Sequence, residues 1–132
     1  MTKTMSFPIV GAHFRPPAKA ILECLPAGSA LSLRPEPDNP FDSNAVQVIV
    51  QGAVLQGLPA IIQNRLDDLA GMYGSDLASI LAATEWHLGY VPRALAISLA
   101  PALAGNEIEA SLTFSASGAA QATTTIDSTK TD

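Results

Sequence analysis

The sequence predicts a mainly β domain with helices (α+β), arranged as a small antiparallel barrel with a helical insertion. Three observations lead there. Short β-branched or alternating segments are separated by Pro- and Gly-containing turns, as in small all-β architectures. One stretch, between Gly52 and Glu85, changes to helical spacing. A run of loop-forming residues, Leu33 to Val46, lies between two apolar segments. A length of 132 residues fits one domain.

The elements follow in order. Phe7 to Ala12 reads as a first strand, with Gly11 allowing a bulge or close approach. Ile21 to Leu25 reads as a short second strand, and Pro26-Ala27-Gly28-Ser29 as a turn. Ala30 to Arg34 is a third strand, and Ala45 to Gln51, β-branched and partly alternating, a fourth. Leu58, Ile61, Ile62, Leu66, Leu69 and Ala70 then recur at helical spacing, and Leu77, Ile80 and Leu81 continue in a second short helix after Ser75. Such a stripe either covers the domain's own core or offers a docking surface for a partner. Trp86 to Tyr90 returns as a strand. Pro92 suits the first position of a helix running to about Ala104 and closed by Gly105. Ile108, Ala110, Leu112 and Phe114 alternate in a final strand within Glu107 to Ser115, and the Ser-, Thr- and Ala-rich tail, 117–132, reads as disordered.

Composition narrows the function classes. Hydrophobic residues make up 48% of the chain, enough for a core, but no apolar run reaches the ~18 residues of a membrane span. The start carries one lysine and no long apolar segment, so a signal peptide is not expected. Cys24 is the only cysteine, which excludes an internal disulfide, fits a reducing cytoplasm and reads as a buried thiol. Seven Lys and Arg against twelve Asp and Glu argue against broad coating of duplex DNA by phosphate contacts. A small pocket for one strand end remains compatible with that balance. Catalysis finds no support: His13 and His87 are far apart, Cys24 has no flanking base, and no phosphate loop, metal motif or nucleophile elbow is present. No enzyme activity, cofactor or metal is expected.

The Leu33 to Val46 run carries the most information. Each proline fixes φ and restricts the residue before it, while Asp and Asn bond their own backbone and hold turns. So many constraints point to a structured loop between strands, the usual place for a binding site.

With Val10-Gly11-Ala12-His13-Phe14-Arg15-Pro16 before it and Gly89-Tyr90-Val91-Pro92-Arg93 after it, this run resembles the HIRAN domain, a small β-rich module of helicase-like DNA remodellers that also occurs in short bacterial and phage proteins. The order of the three motifs fits as well as their content. The resemblance covers Phe7 to about Ser115 apart from the stretch between Gly52 and Glu85. It implies a HIRAN-like domain over 1–116 with an insertion at about 53–85, and an OB-like barrel with a groove suited to single strands. It also implies non-catalytic capture of the 3′-hydroxyl end of single-stranded DNA in repair or replication, with a separately encoded helicase or nuclease as a candidate associate. An alternative keeps the fold as a protein-interaction module with little DNA affinity.

The resemblance assigns roles residue by residue. Phe14 and Phe41 take the aromatic positions and would stack on bases; both lack the hydroxyl of the tyrosines found in DNA-binding members. Asp42 matches the loop acid that meets the terminal hydroxyl. Asp38 and Asn39 match the polar pair before the loop proline, with Asp38 where a neutral asparagine often sits. His13 stands where DNA-binding members carry arginine, and Arg15, two residues on, can supply the missing charge. Arg93 fits the basic position for a phosphate, and Tyr90 lies at the groove. Arg34 is expected to line the same face or pair with Glu36.

Overall fold

The computed structural model describes residues 2–127, with the side chains of His13 and Asp127 excepted. Among the described residues, six strands form one antiparallel sheet in the order β1-β6-β5-β2-β3-β4. The strands are β1 (Thr2–Pro8), β2 (Ala30–Pro35), β3 (Val46–Gln51), β4 (Glu85–Tyr90), β5 (Ile108–Phe114) and β6 (Ala120–Asp127). The two ends of that order meet. Just beyond β1, Val10 exchanges both backbone hydrogen bonds with Tyr90 of β4, at 2.9 and 2.8 Å. This bridge curls the sheet into the small OB-like barrel predicted from sequence.

Two local features give the curl. Between β3 and β4 the register shifts, so that Val48 faces Gly89 and Ile49 faces His87, leaving Leu88 as one extra residue on β4. Such a bulge bends its strand and increases twist. At Gly89 a Cβ would lie 2.5 Å from the carbonyl oxygen of Val10, so only glycine lets the bridge approach this closely.

Core and helices follow from residue spacing. β3 is buried almost throughout, with Val46, Val48, Ile49 and Val50 all at 0% exposure and only Gln47 and Gln51 partly exposed, which is why it alternates only in part. The helix α1 (Pro16–Cys24) replaces the strand expected at Ile21–Leu25. A short, largely apolar run does not distinguish strand from helix. The deciding signals are Pro16 and Pro17, which occupy the first helical positions without loss, and the buried Ala18, Ile21 and Leu25, spaced three and four apart. Between Gly11 and Arg15 lies a 3-10 turn, Ala12–Phe14, in place of the end of the expected first strand.

The insertion holds α2 (Gly52–Gln56), α3 (Ala60–Met72) and α4 (Leu77–Ala82). Leu66 and Ala70 are fully buried, and Leu58, Ile62 and Leu69 pack on the same core, so the apolar stripe covers the barrel; Ile61 alone of its members points to solvent. Asp76 caps α4 by accepting the Ser79 N–H at 2.7 Å, and the Trp86 indole N–H donates to the Ile80 carbonyl at 2.8 Å, fastening α4 to β4. α5 (Arg93–Leu103) starts one residue after Pro92 and buries Ala96, Leu99 and Leu103.

The tail expected to be disordered is ordered over 120–127. β6 pairs along its length with β1, Thr2 facing Asp127, and with β5. Hydroxyls join these strands on the surface, Ser6 to Thr123 at 2.7 Å and Thr4 to Thr125 at 3.0 Å. Ala122 and Thr124 are buried, with the Thr124 hydroxyl donating to the Glu109 carbonyl. A low-complexity reading missed that threonine is a strong strand former. Residues 128–132 lie outside the described part.

Candidate nucleic-acid interface

The loop between β2 and β3 is fixed by its own side chains. The Glu36 N–H donates to the Ala45 carbonyl at 2.8 Å, closing the base of the loop. Above it, Asn39 Oδ1 accepts the N–H groups of Phe41 and Asp42 at 2.9 and 3.0 Å, spanning Pro40, which has no N–H to offer. Asp42 Oδ1 in turn accepts the Asn44 N–H at 2.9 Å.

Glu36 ties this loop to the barrel. Its carboxylate accepts Asn39 Nδ2 at 2.6 Å, the Tyr90 hydroxyl at 3.1 Å and the side-chain amide of Gln47. Burial and this bond to Glu36 raise the Tyr90 pKa above its ordinary value, so its hydroxyl keeps the proton it donates. His87 packs edge-on against the Tyr90 ring, with centroids 4.7 Å apart, and its Nε2 lies 2.8 Å from the Gly89 carbonyl. Burial, with Arg15 nearby, lowers the His87 pKa and favours the neutral imidazole. From sequence Glu36 is named only as a partner for Arg34, not as a member of the site. Three acids crowd that run, and only the partner 54 positions away on β4 distinguishes this one.

An open cleft of about 450 Å³ lies where loop, bridge and α5 meet. Six of the nine residues assigned from sequence line it: Arg15, Asn39, Phe41, Asp42, Tyr90 and Arg93. Val10, Ala45 and Val91 complete the wall and were not foreseen, since their place depends on the barrel closing. Phe41 is 89% exposed, which rules out a core role. Asp42 is half-buried, and its second oxygen, Oδ2, lies 3.8 Å from Arg93 Nε in a loose pair that leaves the Arg93 side chain 78% exposed. The Arg15 guanidinium stands 5.9 Å from the Tyr90 ring centroid, a cation–π arrangement.

The other assignments divide. Phe14 is 79% exposed on the 3-10 turn beside the cleft, not in its wall. Asp38 is exposed and likewise not part of the wall. His13 lies on the same turn as Phe14, and its side chain is outside the described part. Arg34 does not pair with Glu36 or face the cleft. Its guanidinium holds Glu85 through two bonds of 2.6 and 2.9 Å and Glu107 through one of 2.7 Å, which raises its pKa and lowers that of Glu85. The nearest acids across the sheet captured it.

A family model of the HIRAN domain matches residues 3–127. The chain belongs to the HIRAN family. The match spans nearly all of the 132 residues, including the helical insertion and β6. This domain is known as a DNA-binding module and is generally non-catalytic. Among the described residues no helix is long and apolar enough to cross a membrane. No curated protein and no solved structure matches the chain.

Proposed function

We propose that this HIRAN domain binds single-stranded DNA at its 3′-hydroxyl end, in the cleft between the β2–β3 loop and the start of α5. The observation that carries this reading is Phe41, a large apolar side chain left almost wholly in water on a loop pinned at every turn. A flexible loop could fold such a ring inward; this one holds it out. A base stacked on it would gain roughly 1–3 kcal/mol.

The neighbouring groups fit the remaining parts of a strand end. Asp42 Oδ1 is engaged with Asn44, and Oδ2 can accept the terminal hydroxyl. A 3′-phosphate there would meet a fixed negative charge at close range and be repelled. Arg93 sits in the first turn of α5, where the helix terminus also favours anions. With Arg15 across the cleft, it can hold the adjacent phosphate. Tyr90, its hydroxyl committed to Glu36, offers its ring. Phe14 supplies a second stacking face at the cleft's edge.

The test separates stacking from charge. Binding of short single-stranded DNA, followed by fluorescence anisotropy over a salt series, should weaken in both Phe41→Ala and Arg93→Ala. Only Arg93→Ala should flatten the dependence of affinity on salt, by about 0.7 in the log–log slope for one lost phosphate contact. Unchanged affinity in both variants would refute the site assignment.

A further inference from the structure

The positive charge of the cleft continues on the other side of the 3-10 turn. A second open cleft, of about 340 Å³, has Ala12 of that turn, Lys19 of α1, Arg65 of α3 and Phe114 of β5 in its wall, together with one acid, Glu23. The two clefts flank a single short segment: Val10 and Arg15 face the first, Ala12 and Lys19 the second. Arg15 caps the start of α1, and a backbone hydrogen bond of 3.1 Å from the Lys19 N–H to the Arg15 carbonyl links the residue at the first cleft to the one at the second. Lys19 leans towards α3, its Nζ 5.6 Å from the Tyr73 ring centroid. The packing of α3 on α1 brings Arg65 to the same place.

The charge count makes this arrangement informative. The chain has seven basic and twelve acidic residues. Four of the seven, Arg15, Lys19, Arg65 and Arg93, line the two clefts, against only Asp42 and Glu23 of the twelve. Over the chain the balance is negative, while along this path it is four to two positive. An acidic protein that collects its cations on one track has a local surface for a polyanion.

We propose that the second cleft is a subsite for the sugar-phosphate backbone of the same single strand, on the 5′ side of the nucleotides held at Phe41. The helical insertion then contributes a phosphate contact through Arg65, alongside Lys19, and Phe114, 42% exposed, gives the strand an apolar face. This inference rests on the reading of the first cleft as the seat of the 3′ end. It would let a domain with net charge −5 hold more than one or two nucleotides.

The test is binding as a function of length. Oligothymidylates of about two, four, six and ten nucleotides, reaching into the ~4–16 nucleotides that OB-type folds cover, carry a 5′ fluorophore and either a free 3′-hydroxyl or a 3′-phosphate. For the unaltered protein, affinity should climb from the dinucleotide to the longer strands. In the Lys19→Gln, Arg65→Gln double variant the climb should vanish, with roughly a tenfold loss at the longest strand and a salt slope shallower by about 1.4 for two phosphates. Both side chains are exposed, so thermal melting should confirm an unchanged fold. Glu23→Gln should strengthen binding of long strands and leave the dinucleotide as it was. The proposal is overturned if the double variant binds every length as the unaltered protein does. A preference for 3′-hydroxyl without any climb likewise refutes the second cleft and leaves the end reading standing. A climb that the double variant abolishes, without preference between ends, supports the second cleft and refutes the end reading.

Discussion

Two segments that connect strands of the same barrel treat their apolar residues in opposite ways. Between β2 and β3, Phe41 is held 89% exposed; in the insertion between β3 and β4, Leu66 and Ala70 are at 0%. The difference lies in the backbone. The first loop is fixed by prolines and by Asn39 and Asp42 side chains, so its ring cannot reach the core. The insertion is helical, satisfies its own backbone bonds, and is free to settle its stripe on the barrel. An apolar side chain on a rigid loop turned outward stays in water, and one on a segment that can pack joins the core.

Substitutions can break that contrast. The largest effect is expected for Leu66→Glu, which places a charge in a fully buried site and should unfold the domain or lose more than about 3 kcal/mol in denaturant unfolding. A folded variant with altered self-association would instead make the stripe a docking surface. Next comes Asn39→Ala, which removes the acceptor for two loop N–H groups and the donor to Glu36. It should lower stability by about 1–2 kcal/mol and loosen DNA binding through the displaced Phe41. The smallest effect on stability belongs to Phe41→Ala, within about 0.5 kcal/mol of the unaltered protein, because the ring touches little of the fold. A marked loss of stability there would show that the ring packs against the domain in solution.

A pH prediction concerns His87, which packs behind Tyr90 of the cleft wall. The His87 pKa is lowered in the folded state, chiefly by burial and then by Arg15 and Arg34, while the Gly89 carbonyl and Glu36 act the other way. The unfolded chain therefore takes up its proton first, so stability from this group is present above its ordinary value of about 6.5 and declines as pH falls below it. Unfolding midpoints should drop between about pH 7 and 5, and His87→Gln should flatten that decline. A slope unchanged in the variant would place its origin elsewhere, and Glu85, whose lowered pKa acts only below about 4.3, lies outside this window.

Much of the fold and site was legible in the sequence, for reasons that differ by region. The Leu33–Val46 run announced a rigid loop because proline and Asx residues act locally. The helix after Gly89-Tyr90-Val91 was readable because proline at a helix start has positional meaning, and Pro92 stands one residue before α5; the need for glycine at 89 shows only once Val10 reaches it. What was missed depended on distance. Glu36 gained its role from Tyr90, Arg34 lost its expected one to Glu85 and Glu107, and β6 exists because β1 and β5 offer it two edges. The helix at Ile21 was missed for a local reason, since its paired prolines were not weighed against a short apolar run.

The central claim is that the cleft beside Phe41 reads a strand end through Asp42. Fluorescence anisotropy at low salt, comparing one short single-stranded DNA with a 3′-hydroxyl and with a 3′-phosphate, tests it most directly. Tighter binding of the hydroxyl form, with the preference reduced in Asp42→Asn, is the expected result. Equal binding of the two ends, or binding of neither, would contradict it.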